Sequence, residues 1–124
     1  MVRDYEPLGF RFIAVNGNDE NQVSEDSFLE MKKRAKAENY QFTYLRDANQ
    51  NFLRSLGAEV TPEAFVFDGK RECVYRGGID DYWQDPHQVR NQYLRRALTE
   101  LSKMEPIPFE RMTKSFGCSI KWKS

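Results

Sequence analysis

Two thiols, Cys73 and Cys118, are the side chains best suited to covalent chemistry, and their sequence surroundings differ. Cys73 follows Glu72 and precedes the β-formers Val74 and Tyr75, so it is expected to act as a small buried hydrophobe. Cys118 lies in the polar stretch Gly117-Cys118-Ser119 near Lys114, Lys121 and Lys123, where exposure and positive charge favour the thiolate. Cys118 is therefore the candidate catalytic residue. The separation of the two cysteines makes neither a CxxC pair nor a zinc site. Thr61 and Pro62 are the candidate substrate-binding residues. Pro62 has no N–H for a ladder, so it either stiffens a strand entry or leaves an edge that accepts backbone hydrogen bonds from a substrate peptide.

The remaining polar groups have blander expectations. His87, the single histidine, falls in the first turn of a helix and cannot anchor a two-histidine metal site, so no metal is expected. Asp80 and Asp81 are adjacent carboxylates that point in different directions on most backbones, which suits turn acceptors better than an acid/base pair. Gly77 and Gly78 lack the spacing of a phosphate loop and are expected to permit a sharp exit from a strand. Tyr82, Trp83 and Trp122 offer either core packing or a surface for a partner. No cofactor is expected.

The elements that must position these residues follow from periodicity and punctuation. Val2 to Leu8 read as the end of a helix stopped at Gly9. Phe10 to Val15 form an apolar run closed by Asn16-Gly17-Asn18-Asp19, which fits a buried parallel strand over 10–15. Ser24 caps a helix from about Glu25 to Glu38 with Phe28, Met31 and Ala35 on its buried stripe. A strand from Phe42 to Leu45 precedes Asp47, whose spacing to Gln50 makes a capping box for a helix that stops at Gly57. Ala64 to Phe67 and the run at Cys73 form a hairpin around Asp68-Gly69, with a cis bond expected at Thr61–Pro62. Asp85-Pro86-His87-Gln88 starts a last helix carrying Val89, Tyr93, Leu94, Ala97, Leu98 and Leu101. Beyond Met104 the chain is an extended tail, which divides it into a domain at 1–104 and a tail at 105–124.

At 124 residues, with 40% hydrophobic and 14% aromatic content, the chain can build one modest core. Nineteen basic and nineteen acidic residues balance to zero formal charge, so nucleic acid and membrane surfaces are not expected partners. No apolar run approaches a membrane span and Met1 is not followed by a signal-peptide core, so the expected location is cytoplasmic, conditional on Met1 being the true start.

Phe12-Ile13-Ala14-Val15-Asn16, Glu25-Asp26-Ser27-Phe28, Tyr44-Leu45-Arg46-Asp47, Thr61-Pro62, Tyr75-Arg76-Gly77-Gly78-Ile79-Asp80-Asp81 and Gly117-Cys118-Ser119-Ile120-Lys121-Trp122 occur in an order that resembles the redoxins related to peroxiredoxins and thioredoxin. The resemblance runs from about Tyr5 to the C-terminus. It implies an α/β fold, a thioredoxin-like three-layer sandwich with a mixed sheet, and thiol–disulfide oxidoreductase or antioxidant activity. A thiol/disulfide protein or a peroxide would be the substrate. It also implies a strand and a helix before Gly9, carrying the redox cysteine at their junction, which this sequence lacks; the domain is expected to be N-terminally truncated, with weak or absent exchange activity in this form. Cys118 would then be a resolving partner without its mate.

The absent strand would lie between the strands at 10–15 and 64–67. Its loss would leave two rows of backbone groups facing nothing. Direct pairing of the flanking strands, a strand exchanged with a second copy in a homodimer, or a longer parent protein would each close the gap. The alternative function is a non-catalytic thioredoxin-like protein-binding or assembly module using the open sheet edge and the aromatic tail for protein contacts.

Overall fold

Gly9 ends the first helical stretch. Helix α1 (Val2–Tyr5) runs into a 3-10 turn at Glu6–Leu8, and Gly9 adopts φ +100 with its N–H donating to the Glu6 carbonyl at 3.0 Å. The computed structural model describes residues 2–80, 86–103, 112–115 and 117–123. The fold is mixed α/β, and it divides into two compact units, Met1–Ala58 with Ile120–Ser124, and Glu59–Ser119.

In the first unit, β1 (Ile13–Asn16) and β2 (Thr43–Arg46) pair in parallel, with Ile13 opposite Thr43 and Val15 opposite Leu45. Strand β1 begins three residues later than expected because Phe10 is held by the helix end: its N–H reaches the Tyr5 carbonyl at 3.4 Å and its ring meets the buried Tyr5 ring edge-on. Helix α2 (Phe28–Ala37) starts at Ser27, whose hydroxyl accepts the Glu30 N–H, while the expected cap Ser24 opens a separate 3-10 turn. Met31 is buried as expected, but Phe28 is 54% exposed beneath the Lys32 ammonium rather than on the core stripe.

Helix α3 (Asn51–Leu56) stops at Gly57 as expected, yet its start is not a capping box. Asp47 Oδ2 accepts the Leu53 N–H at 2.8 Å, and Gln50 takes a left-handed φ of 64 that turns its carboxamide inward. A short polar network ties α2 to β2. Arg34 donates to Tyr44 Oη, Asp26 Oδ1 and the Glu25 carbonyl, and Arg46 donates to the Asp26 carbonyl. Burial alone would push the Asp26 carboxyl up, but hydrogen bonds from Asn18, Asn16 and Arg34, with the guanidinium charge, outweigh it and hold the group below the ordinary carboxylate range.

In the second unit, β3 (Val60–Thr61) leads into β4 (Ala64–Phe67), which pairs antiparallel with β5 (Cys73–Gly77). The Asp68 carboxylate accepts the N–H groups of Lys70 and Glu72, closing the hairpin turn. The register shifts between Val66 and Phe67, so Phe67 and Cys73 are partners at the frayed end of the ladder and both are exposed. Cys73 is therefore not the buried hydrophobe expected; Tyr75, at 1% exposure, fills that role two residues on. Helix α4 (Tyr93–Leu101) buries Ala97 and Leu98. It does not start at Pro86, because Pro86–Gln88 is a separate 3-10 turn.

Among the described residues β1 pairs only with β2 and β4 only with β5, so direct pairing of the strands at 10–15 and 64–67, one of the alternatives for closing the gap, is not found. Of the described helices, none is long and apolar enough to cross a membrane.

Candidate thiol site beside the cis proline

Strand β6 (Cys118–Ser119) lies antiparallel to β3, with Thr61 opposite Cys118 and Val60 opposite Ser119. The Thr61–Pro62 peptide bond is cis. Because Pro62 brings no N–H, the ladder ends there, and Gly117 passes so close that an added Cβ would run into the Thr61 carbonyl and lie 3.1 Å from Pro62 Cδ. The structure thus brings Cys118 beside the adjacent candidate residues Thr61 and Pro62, from which the sequence separates it widely. Thr61 and Cys118 are both exposed.

Upstream residues deliver the tail to this strand. Thr113 N–H donates to the Arg76 carbonyl at 3.1 Å, and its hydroxyl accepts the Gly78 N–H at 3.1 Å. Tyr75 Oη donates its one proton to the Gly78 carbonyl, so at 2.7 Å from Thr113 Oγ1 it accepts the threonine proton. Gly77, at φ +146, leaves room for Thr113, since a Cβ there would collide with the threonine backbone. Gly77 and Gly78 are thus a seat for the tail as well as a strand exit.

Glu63, next to Pro62, is the other fastening. Its carboxylate accepts the Glu59 N–H at 3.1 Å and the Ser115 hydroxyl at 3.2 Å, and stands 3.6 Å from Arg76 Nη2. The Arg76 guanidinium also lies over the Phe65 ring, 5.0 Å from its centroid.

Downstream of Cys118, the first unit receives the end of the tail. Gln50 Nε2 donates to the carbonyls of Gly17 (2.7 Å) and Lys121 (3.0 Å), and Gln50 Oε1 accepts the Lys123 N–H (3.0 Å). Asn18 Oδ1 accepts the Lys121 N–H, the Asp19 N–H donates to the Lys121 carbonyl, and Gln22 Nε2 donates to the Trp122 carbonyl. Arg54 covers the Trp122 ring at 4.4 Å, so this half-buried aromatic is packed rather than offered to a partner.

The other sequence candidates lie elsewhere. His87 is exposed in its 3-10 turn and Asp80 is half-buried, while Asp81, Tyr82 and Trp83 lie outside the described residues. Among the described residues no cluster of three His, Cys, Asp or Glu side chains is placed to hold a metal ion. Glu63, Thr113 and Gln50 were not legible as site residues, because all their partners but the Glu59 N–H are groups distant in sequence.

No family model and no curated protein matches the chain. A solved structure of an uncharacterized conserved protein from Geobacillus kaustophilus is similar at TM-score 0.88 and 41% identity, over 98% of this chain and 65% of that one. A hypothetical protein from Sinorhizobium meliloti 1021 is similar at TM-score 0.87 and 32% identity, over 99% of this chain and 67% of that one. The chain belongs to the family of the Sinorhizobium meliloti protein. It spans about two thirds of the length of both relatives. The family therefore shares this mixed α/β fold across nearly the whole of the present chain, and neither relative brings an activity with it.

Proposed function

We propose that the chain is a thioredoxin-like domain of redoxin type, working in thiol–disulfide exchange with Cys118 as a reacting thiol. The observation that carries this reading is the register that sets Cys118 opposite Thr61, next to Pro62. The redoxin resemblance supports it. In exchange, the Cys118 thiolate attacks one sulfur of a disulfide; a new S–S bond forms, the old one breaks, and the departing sulfur leaves as a thiolate that takes up a proton. A thiol of the substrate or of a dithiol reductant then attacks the mixed disulfide and regenerates Cys118. The exchange uses only sulfur and proton transfers, in keeping with the expectation of no cofactor.

The test is exchange with a small aromatic disulfide, read by mass spectrometry at each cysteine of the native chain. Cys118 is expected to form the mixed disulfide about tenfold faster than Cys73. Cys118→Ser should abolish the fast phase and Cys73→Ser should leave it intact. Equal rates at the two cysteines, matching those of the unfolded chain, would overturn the proposal.

A second reading, a non-catalytic binding or assembly module, is supported by β1 and β2. Their register puts Ile13, 63% exposed, on the same face as Leu45, 47% exposed. An unchanged sedimentation profile over a hundredfold concentration range, in both the native chain and Ile13→Ser, would remove self-assembly from that reading.

A further inference from the structure

Helix α2 is fastened by one half of its surface. Met31 is buried, and the half-buried Arg34 donates to Tyr44 Oη, Asp26 Oδ1 and the Glu25 carbonyl, which fixes the half that faces outward. That outward half consists of two neighbouring rows at four-residue spacing, Phe28–Lys32–Lys36 and Leu29–Lys33–Ala37, and all of these residues are exposed. Charge and apolar surface are separated along its axis. Phe28 and Leu29, 54% and 61% exposed, occupy the first turn, and the three lysines follow in the next two, in a chain whose formal charge sums to zero. The Lys32 ammonium stands 5.6 Å from the Phe28 ring centroid. Glu30, the one carboxylate in the helix sequence, reaches Lys33 at 3.2 Å from the border of this half.

An apolar pair beside a net positive charge is complemented by an occupant that brings both apolar cover and carboxylates. An anionic bilayer brings both, but a helix lying in one carries its lysines at the borders of the inserted face. Here Lys32 and Lys36 share a row with Phe28, and Lys33 shares a row with Leu29, so inserting the apolar pair would draw the lysines in with it. We propose that the outward half of α2 is a docking surface for an amphipathic helix of another protein, laid antiparallel, with carboxylates four residues apart in its first two turns and an apolar pair in its third. The direction follows from the charges. The lysines lie toward the C-terminal end of α2, so an antiparallel partner meets them with its N-terminal turns, where its own dipole also favours carboxylates. Matched spacing on the two helices then sets carboxylates against Lys32, Lys33 and Lys36 and the apolar pair against Phe28 and Leu29. A contact of this size is weak and sensitive to salt. It makes no use of thiol chemistry.

The experiment uses the full chain and a fluorescein-labelled, alanine-based helical peptide with glutamates four residues apart in its first two turns and a leucine pair in its third. Anisotropy at low salt is expected to show saturable binding, weakened about tenfold or more in the double variant Lys32→Glu with Lys36→Glu, and likewise in Phe28→Ser with Leu29→Ser. All four positions are exposed, so an unchanged far-UV spectrum is expected of both variants. In the native chain a nitroxide at the peptide N-terminus should broaden the Lys36 amide more than the Leu29 amide, a measurement that stands even if a variant fails to fold. Vesicles of phosphatidylserine and phosphatidylcholine should not bind the chain at the same ionic strength. Binding to the vesicles but not to the peptide, equal binding by the native chain and a folded variant, broadening strongest at Leu29, or no binding of the peptide would each overturn the proposal.

Discussion

Among the described residues Gln50 and Tyr75, each 1% exposed, are the most deeply buried large side chains, and both hold the C-terminal tail. They do so on different terms. Tyr75 buries an aromatic ring whose transfer from water is favourable by itself, and only its hydroxyl depends on Thr113 and the Gly78 carbonyl. Gln50 buries a carboxamide, which is unfavourable unless its donors and acceptor are matched, and two of the groups that match them, the Lys121 carbonyl and the Lys123 N–H, belong to the tail. The second unit would thus keep its core with the tail loosened, whereas the first unit is built around the tail's presence.

Four measurements press on that contrast. The largest effect is expected for Gln50→Ala, which strands the Gly17 carbonyl and the Lys123 N–H and removes one of the two donors to the Lys121 carbonyl; a loss of about 3 kcal/mol in urea unfolding is expected from a buried network broken on one side. A loss below about 1 kcal/mol would show that water replaces the carboxamide and that the contrast is false. Next is Gly77→Ala, which combines a positive φ with a collision against Thr113 and should cost about 2 kcal/mol. Its loss should be accompanied by faster alkylation of Cys118, because displacing Thr113 slackens the tail upstream of the thiol.

Tyr75→Phe keeps the ring and removes the hydroxyl, so about 1 kcal/mol is expected, with the Gly78 and Thr113 amides exchanging faster and the β4–β5 hairpin unchanged. A cost equal to that of Gln50→Ala would erase the difference between the two anchors. The smallest effect concerns acid. The folded-state pKa of Asp26 lies below its unfolded value, so its stabilisation is present above the unfolded pKa, near about 4, and is lost as pH falls through the folded value. Asp26→Asn should therefore flatten the acid limb of the stability profile below about pH 4 while leaving the anchors of the tail intact. An acid limb of unchanged slope would show that Asp26 contributes nothing there.

Local signals carried the sequence reading where one element decides the outcome. Gly9 and Gly57 end helices, Asp68 closes the hairpin, and Pro62 enters a strand through a cis bond, because each depends on backbone geometry within a few residues. Starts were less legible. Ser24 and Ser27 are equally good caps by type, and only Arg34 and Arg46 reaching back to the Glu25–Asp26 turn favour the later one. Asp47 and Gln50 have capping-box spacing, but the glutamine is drawn away by Gly17, Lys121 and Lys123, partners that no local pattern contains. The site was visible as residue types, Cys118 and Thr61-Pro62, and invisible as a place. Its assembly depends on Thr113 fitting the space left by Gly77, and on Gly117 fitting against Thr61, two complementarities of shape between distant segments.

Gly77 and Gly117 also act together as a ruler. Thr113 is seated at the first and Gly117 is itself the second point where no side chain fits, so the number of residues between 113 and 117 is fixed at both ends. An insertion or deletion of one residue there would slide the tail along β3, bring a side chain against the Thr61 carbonyl, and turn Cys118 to the opposite side of its strand. Changes of length between 113 and 117 are therefore disfavoured, and in related sequences this segment should remain constant in count.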